Sequence, residues 1–357
     1  MKQISLIYFA ASRPDYSQVG KIPSVIYYGT ERLREDPSIH FHVCWKRNTF
    51  LRLLFQPLEQ YLISRVGVGF RFDQVVRNLF AFRHRDVILA ETDSVGLPLL
   101  LLKRLGLIRT RVGFISAGLV NELERQQPTR LFKWYKWLLQ AADFIVCWSP
   151  LEEQLFRDLT GARGRFILLE ADIDFYQPGS QVPQEDFILC VGRDVGRDFQ
   201  ALFDVVETTG MKARVVTSTA RVKGLRIPDR VELVLEKVDY PTLLEWYRKA
   251  RLVVVSLQEI HRFTGQRALL EALAMGKATV VARTQSVTST YHLVDGQEVL
   301  FYDPGDAHDL ARKIQTLWGD EARLTSLGIA GRAFVERLPK NAFYFGVRAL
   351  CVESLDD

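Results

Sequence analysis

The chain has 357 residues, of which 48% are hydrophobic and 25% charged, with a formal net charge of +5. That length suits two α/β cores rather than one, at roughly 150 residues per domain, and the apolar fraction excludes a disordered chain. The scattered cysteines (Cys44, Cys147, Cys190 and Cys351) read as small buried hydrophobes of a reducing compartment, not as a disulfide framework or a metal site. A positive balance favours anionic partners such as nucleotide phosphates or an anionic membrane surface.

Met1–Ala11 carries a lysine and a short apolar run, but Ser12, Arg13, Pro14 and Asp15 stand where a signal peptide needs small residues. It therefore reads as a first strand. The first half then alternates strand-like and helical patterns. Gln3–Ala10, Ile39–Trp45, Asp86–Glu91, Arg111–Ser116, Asp143–Trp148 and Arg165–Leu169 are the predicted strands of a doubly wound sheet. Loops at strand ends offer substrate contacts: Asp15 and Tyr16 after the first strand, and Glu91, Thr92 and Asp93 after the third. The leucine run Leu97–Ile108 is interrupted by Lys103 and Arg104 and is too short to span a bilayer. The expected location is the cytoplasm.

Between Trp45 and Arg85 the chain turns basic and aromatic. Lys46, Arg47, Arg52, Arg65, Arg71, Arg77, Arg83 and Arg85 alternate with Phe50, Phe55, Tyr61, Phe70, Phe72, Phe80 and Phe82, against only Glu59 and Asp73. Such a segment suits peripheral contact with anionic lipid at the inner face of the membrane, or ordinary helix packing with solvated arginines. No RRM, KH or zinc pattern accompanies it, so nucleic acid is not expected as a partner.

Glu170–Pro178, followed by Gly179, Ser180 and Pro183, reads as an interdomain linker. The second half has predicted strands at Phe187–Val191, Ala213–Ser218, Val231–Leu235, Leu252–Val255, Ala278–Ala282 and Val299–Tyr302. The expected domains are 1–178, 179–338 and a terminal helix over 339–357. The fold class is α/β: two Rossmann-like doubly wound domains facing each other across a cleft.

Two loops of the second half suit an anion. Gly192-Arg193-Asp194-Val195-Gly196-Arg197-Asp198 follows its first strand, with glycine allowing close backbone approach and two arginines able to grip phosphate oxygens. Pairing of Arg193 with Asp194, or of Arg197 with Asp198, is the alternative use of those charges. After Leu252–Val255, Thr264 is expected to N-cap a helix ending at Gly276, and helix N-termini attract anions. Gly67-Val68-Gly69 lacks the third glycine of a dinucleotide fingerprint, no P-loop is present, and the histidines show no metal spacing.

Four segments are similar to one family: ILCVGRDVGRDF at Ile188–Phe199, LLEADIDFYQP at Leu168–Pro178, GQRALLEALAMGKATVVA at Gly265–Ala282 and VDGQEVLFYDPGD at Val294–Asp306. Over nearly its whole length the chain resembles the family-4 glycosyltransferases of the GT-B fold. The resemblance implies metal-independent, retaining transfer of a hexose from a UDP- or GDP-linked sugar to a hydroxyl acceptor, with no separate cofactor. It implies that Gly192, Arg193 and Arg197 hold the donor diphosphate. Thr264, Gly265 and Gln266 would surround the sugar and phosphates, Lys237 and Val238 would meet the base, and Glu271 would accept from ribose hydroxyls. Phe263 stands where the family's first signature glutamate is expected, with Glu259 and His261 nearby, and this departure keeps open a nucleotide-sugar-binding subunit with weak or no catalysis. If configuration inverts instead, Asp93 or Asp15 is the base to examine.

Overall fold

The computed structural model describes residues 3–179, 183–262 and 264–356. The chain divides into two compact units, one made of Met1–Val19, Ile26–Leu169 and Asn341–Asp357, the other of Gly20–Val25 and Glu170–Lys340.

The first unit is built on six parallel strands: β1 (Ile4–Phe9), β2 (Ile39–Cys44), β3 (Val87–Ala90), β4 (Arg111–Ile115), β5 (Phe144–Cys147) and β6 (Gly164–Phe166). Their order is β2-β1-β3-β4-β5-β6. A parallel sheet covered on both faces needs unbroken apolar strands, and all four residues of β3 are fully buried. The leucine run forms the helix Asp93–Arg104, whose Leu97, Leu99 and Leu100 are buried in the same core. Lys103, near its end, pairs with Asp143, which also takes Arg111 at 3.1 Å. Among the described residues no helix is long and apolar enough to cross a membrane.

The last helix, Ala342–Asp356, belongs to this first unit. Phe343 stacks on Trp148 and tilts against Tyr28, while Tyr344 Oη and Arg348 Nε donate to Asp36 at 2.8 and 2.7 Å. Gly29 faces this helix: a Cβ there would lie 2.9 Å from the Tyr344 Cα.

The second unit repeats the architecture with β7 (Glu185–Val191), β8 (Lys212–Val216), β9 (Val231–Val234), β10 (Ala250–Val255), β11 (Thr279–Ala282) and β12 (Leu300–Tyr302). The order β12-β11-β10-β7-β8-β9 runs outward in opposite directions from the neighbours β7 and β10. That reversal is the topological switch point, where loops leaving the carboxyl ends of the two strands diverge and leave a crevice.

The segment read as a linker is fastened to this second unit. Asp172 accepts from the Ser24 amide and hydroxyl at 2.6 and 2.8 Å, Tyr176 is buried, and Arg332 donates to the carbonyls of Ile173, Tyr176 and Ala274. Ser180, also read as linker, lies outside the described residues.

Candidate functional site

Residues 192–198 leave β7 and residues 256–265 leave β10, so both loops open at the switch point. They are laced together. Gln258 donates its amide to the Gly196 carbonyl at 2.8 Å, Asp198 donates to the Ser256 carbonyl at 3.2 Å, and Arg197 and Leu257 form an antiparallel bridge.

Asp194 sits at the centre of this lacing. Its Oδ1 accepts from Arg197 Nε at 2.8 Å and its Oδ2 from the Gly265 amide at 2.6 Å. Burial alone would raise this carboxyl, but the Arg197 charge and these hydrogen bonds hold it below the ordinary value. The pairings weighed from sequence, Arg193 with Asp194 and Arg197 with Asp198, are replaced by Asp194–Arg197 three residues apart, and Asp198 instead caps the helix Phe199–Thr209 by accepting from Ala201.

The Arg197 side chain is only 3% exposed, and its Nη1 is buried without a hydrogen-bond partner among the described residues. Its guanidinium lies against Gly192, where a Cβ would fall 2.1 Å from Cζ, so only glycine admits the arginine there. Arg193 is exposed and turned elsewhere: its Nη2 donates to the carbonyls of Leu235 and Glu236 at the end of β9. It thereby latches the loop that carries Lys237 and Val238, both unburied.

The helix after β10 runs Gln266–Ala274, and its N-cap is Gly265 at φ 72°, not Thr264. A left-handed cap residue favours glycine, and no side chain caps this terminus. Thr264 is buried, with its Oγ1 3.2 Å from where a Gly196 Cβ would lie. Gln266 is buried as well and donates to Tyr291 Oη at 2.7 Å. Phe263 lies outside the described residues, and Glu259 accepts from the Gln285 amide at the start of the helix Gln285–Tyr291.

One turn into the helix, Glu271 accepts from Tyr247 Oη at 3.0 Å. Burial raises its carboxyl above the ordinary value, opposed by the charge of Arg267 and by the hydrogen bond from Tyr247. Glu271 lines a cavity of about 10 Å³ with Tyr176, Asp172 and Leu270, room for about one water. Tyr247, which orients this carboxylate, is the residue that sequence reading missed. Its only signal is a tyrosine on the amphipathic helix Tyr240–Lys249 that precedes β10, where the apolar face already explains it.

In the first unit Asp93 is fully buried and its Oδ2 accepts from the Ala117 amide at 2.8 Å, so this carboxylate has no exposed surface from which to take a proton. Asp15 accepts from Ser17 N and Oγ in an exposed turn.

Residues 200–320 match the family described as glycosyl transferases group 1. The match covers about a third of the chain. Of the residues expected at the site, Lys237, Val238, Thr264, Gly265, Gln266 and Glu271 fall within the matched segment, while Gly192, Arg193 and Arg197 immediately precede it. The fold is GT-B by likeness to solved structures that covers nearly the whole chain. Anabaena HepE in complex with UDP and glucose superposes with a TM-score of 0.70 at 14% identity, covering 98% of this chain and 100% of that one. Sucrose-phosphate synthase from Thermosynechococcus elongatus gives 0.68 at 16% identity over 98% and 97%. The UDP-forming α,α-trehalose-phosphate synthase from Burkholderia vietnamiensis gives 0.70 at 10% over 99% of both. An uncharacterized protein of Archaeoglobus fulgidus is 26% identical over 93 residues, which span 26% of this chain and 24% of that relative.

Proposed function

We propose that this protein transfers a hexose from a nucleoside-diphosphate sugar to a hydroxyl acceptor, and that the crevice between β7 and β10 in the second unit receives the donor diphosphate. The observation that carries the reading is Arg197: a buried guanidinium, positioned by Asp194 and Gly192, whose Nη1 has no acceptor among the described residues. An unsatisfied buried donor costs roughly 1–3 kcal/mol, and a phosphate oxygen is the acceptor that would satisfy it best. HepE was solved with UDP and glucose, and the trehalose-phosphate synthase is UDP-forming, which favours a uridine nucleotide over a guanosine one.

Departure of UDP from the anomeric carbon builds negative charge on the β-phosphate. A fixed cation in a dry pocket stabilises that charge more in the transition state than in the ground state, and this difference is what accelerates the step. Retention of configuration follows if the leaving phosphate accepts the proton of the acceptor hydroxyl. No protein base is then required, which suits the sealed position of Asp93. Glu271, held by Tyr247, is the acceptor offered to the ribose.

The test is calorimetric titration of the full chain with UDP, GDP and ADP, followed by turnover of the matching sugar donors. UDP binding that weakens at least tenfold in Arg197→Ala is the expected result. Absence of binding by any of the three would overturn the donor site. Binding of UDP without turnover of any UDP-sugar, with or without acceptors, would instead favour the subunit reading that Phe263 raises.

A further inference from the structure

The helix Thr49–Val66 carries two apolar stripes. Its inner stripe, Leu51, Phe55, Leu62 and Val66, turns toward the first unit, where Leu62 and Val66 are buried and Phe55 packs on Phe72 with ring centroids 4.7 Å apart. A second stripe at the same helical spacing, Phe50, Leu54, Leu58 and Tyr61 with Leu53 beyond it, is offset from the first by one residue and so lies about 100° round the helix. All five are exposed, Phe50 at 73%. A helix serving only the core of a water-soluble unit carries polar residues on that side.

The charge of this region identifies the partner of the stripe. Several arginines of this region are already committed. Arg47 makes a bidentate pair with Asp73 at 2.8 Å, Arg71 donates to the Ala11 carbonyl, and Arg85 meets Ser5 and His42. Arg52, Arg65, Arg77 and Arg83 are exposed, and among the described residues no carboxylate lies within ion-pair distance of them. Two of them stand over rings instead, Arg65 over Tyr61 at 5.6 Å and Arg83 over Phe80 at 5.0 Å, with Phe80 itself 77% exposed. Both acidic residues of the segment, Glu59 and Asp73, lie beside Arg47. A second copy of this chain would bring the same arginines against each other. A bilayer containing anionic phospholipid offers hydrocarbon for the stripe and phosphates for the guanidinium groups.

We infer that the exposed apolar stripe of Thr49–Val66, with Arg65 beside it and the exposed Arg77 and Arg83 of the same region, docks the first unit on an anionic membrane surface. Phe50, Leu54, Leu58 and Tyr61 enter the headgroup–acyl boundary and the arginines sit at phosphate level. The inference does not depend on the donor reading, since lipid binding needs no nucleotide.

The experiment is co-sedimentation of the full chain with vesicles of phosphatidylcholine alone and with phosphatidylglycerol at three parts in ten. Two variants are compared: Phe50→Ser with Leu54→Ser and Tyr61→Ser, and Arg65→Glu with Arg77→Glu and Arg83→Glu. Wild type should partition at least tenfold more strongly into the anionic vesicles, and each variant should lose at least tenfold. A Phe50→Trp variant keeps the stripe apolar, and its emission should shift to the blue with anionic vesicles only, which reads insertion even if the serine variant folds poorly. Equal partition into both vesicle types, no shift at Trp in position 50, or lipid-free dimers abolished by the serine variant would overturn the proposal.

Discussion

Asp194 accepts the Gly265 amide at 2.6 Å across 71 residues of sequence while its other oxygen holds Arg197. One carboxylate thus ties the first loop of the second unit to the start of the helix after β10. Asp194→Ala leaves Arg197 a buried cation without its partner, which typically costs about 3–5 kcal/mol. Chemical denaturation should register a loss of that order, and a loss under about 1 kcal/mol would show that the pair does not hold the site together. Asp194→Asn, which keeps an acceptor for one of the two donors, should lose less.

Arg193 works differently, because it is exposed and holds two carbonyls at the end of β9. Arg193→Ala should leave global stability within about 0.5 kcal/mol, as surface substitutions usually do. It should nevertheless weaken UDP binding about tenfold, roughly 1.4 kcal/mol, and speed hydrogen exchange in residues 235–238. Unchanged exchange there would refute the latch.

Tyr247 donates to Glu271 at 3.0 Å, and a hydrogen bond to a charged group typically contributes about 1.5–3 kcal/mol. Tyr247→Phe should lower stability within that range. Glu271→Gln should weaken UDP binding about tenfold if its carboxylate meets the ribose. A glutamine variant that binds UDP like wild type would remove Glu271 from the nucleotide site.

The acid limb of the stability profile should depend on Asp36. Burial alone would raise its carboxyl, but hydrogen bonds from Ser38 and Tyr344 and the pairing with Arg348 hold it well below the ordinary range. A lowered folded-state value means the contribution is complete above about pH 3.9, the unfolded value, and disappears as the pH falls toward the folded one. Asp36→Asn should therefore flatten thermal stability against pH below about 4, measured by circular dichroism. An unchanged acid limb would exclude this linkage.

The strands were legible because parallel strands covered on both faces read as aliphatic runs: Leu252–Val255 lies inside β10 and Phe187–Val191 inside β7. Their ends were drawn up to three residues off where the flanking residues are also apolar, as at Ile167 and Leu169 beyond β6. The two loops at the ends of β7 and β10 were legible in the sequence, and their hydrogen-bond partners were not. Thr264 was expected to cap its helix because threonine commonly does, whereas Gly265 holds the cap in a left-handed conformation stabilised by a carboxylate 71 residues away. Gln266, expected near the donor, donates to Tyr291, a contact across 25 residues. Local pattern cannot show such long-range hydrogen bonds.

The helix Ala342–Asp356 gives the chain a particular order of assembly. It covers Tyr28 and Trp148 through Phe343 and closes on Asp36, all parts of a body whose sheet is encoded by residues 4–166. During synthesis the nascent β1 to β6 must wait, with those rings uncovered, until the ribosome has translated the 171 residues Glu170–Lys340 of the other body and then released Phe343.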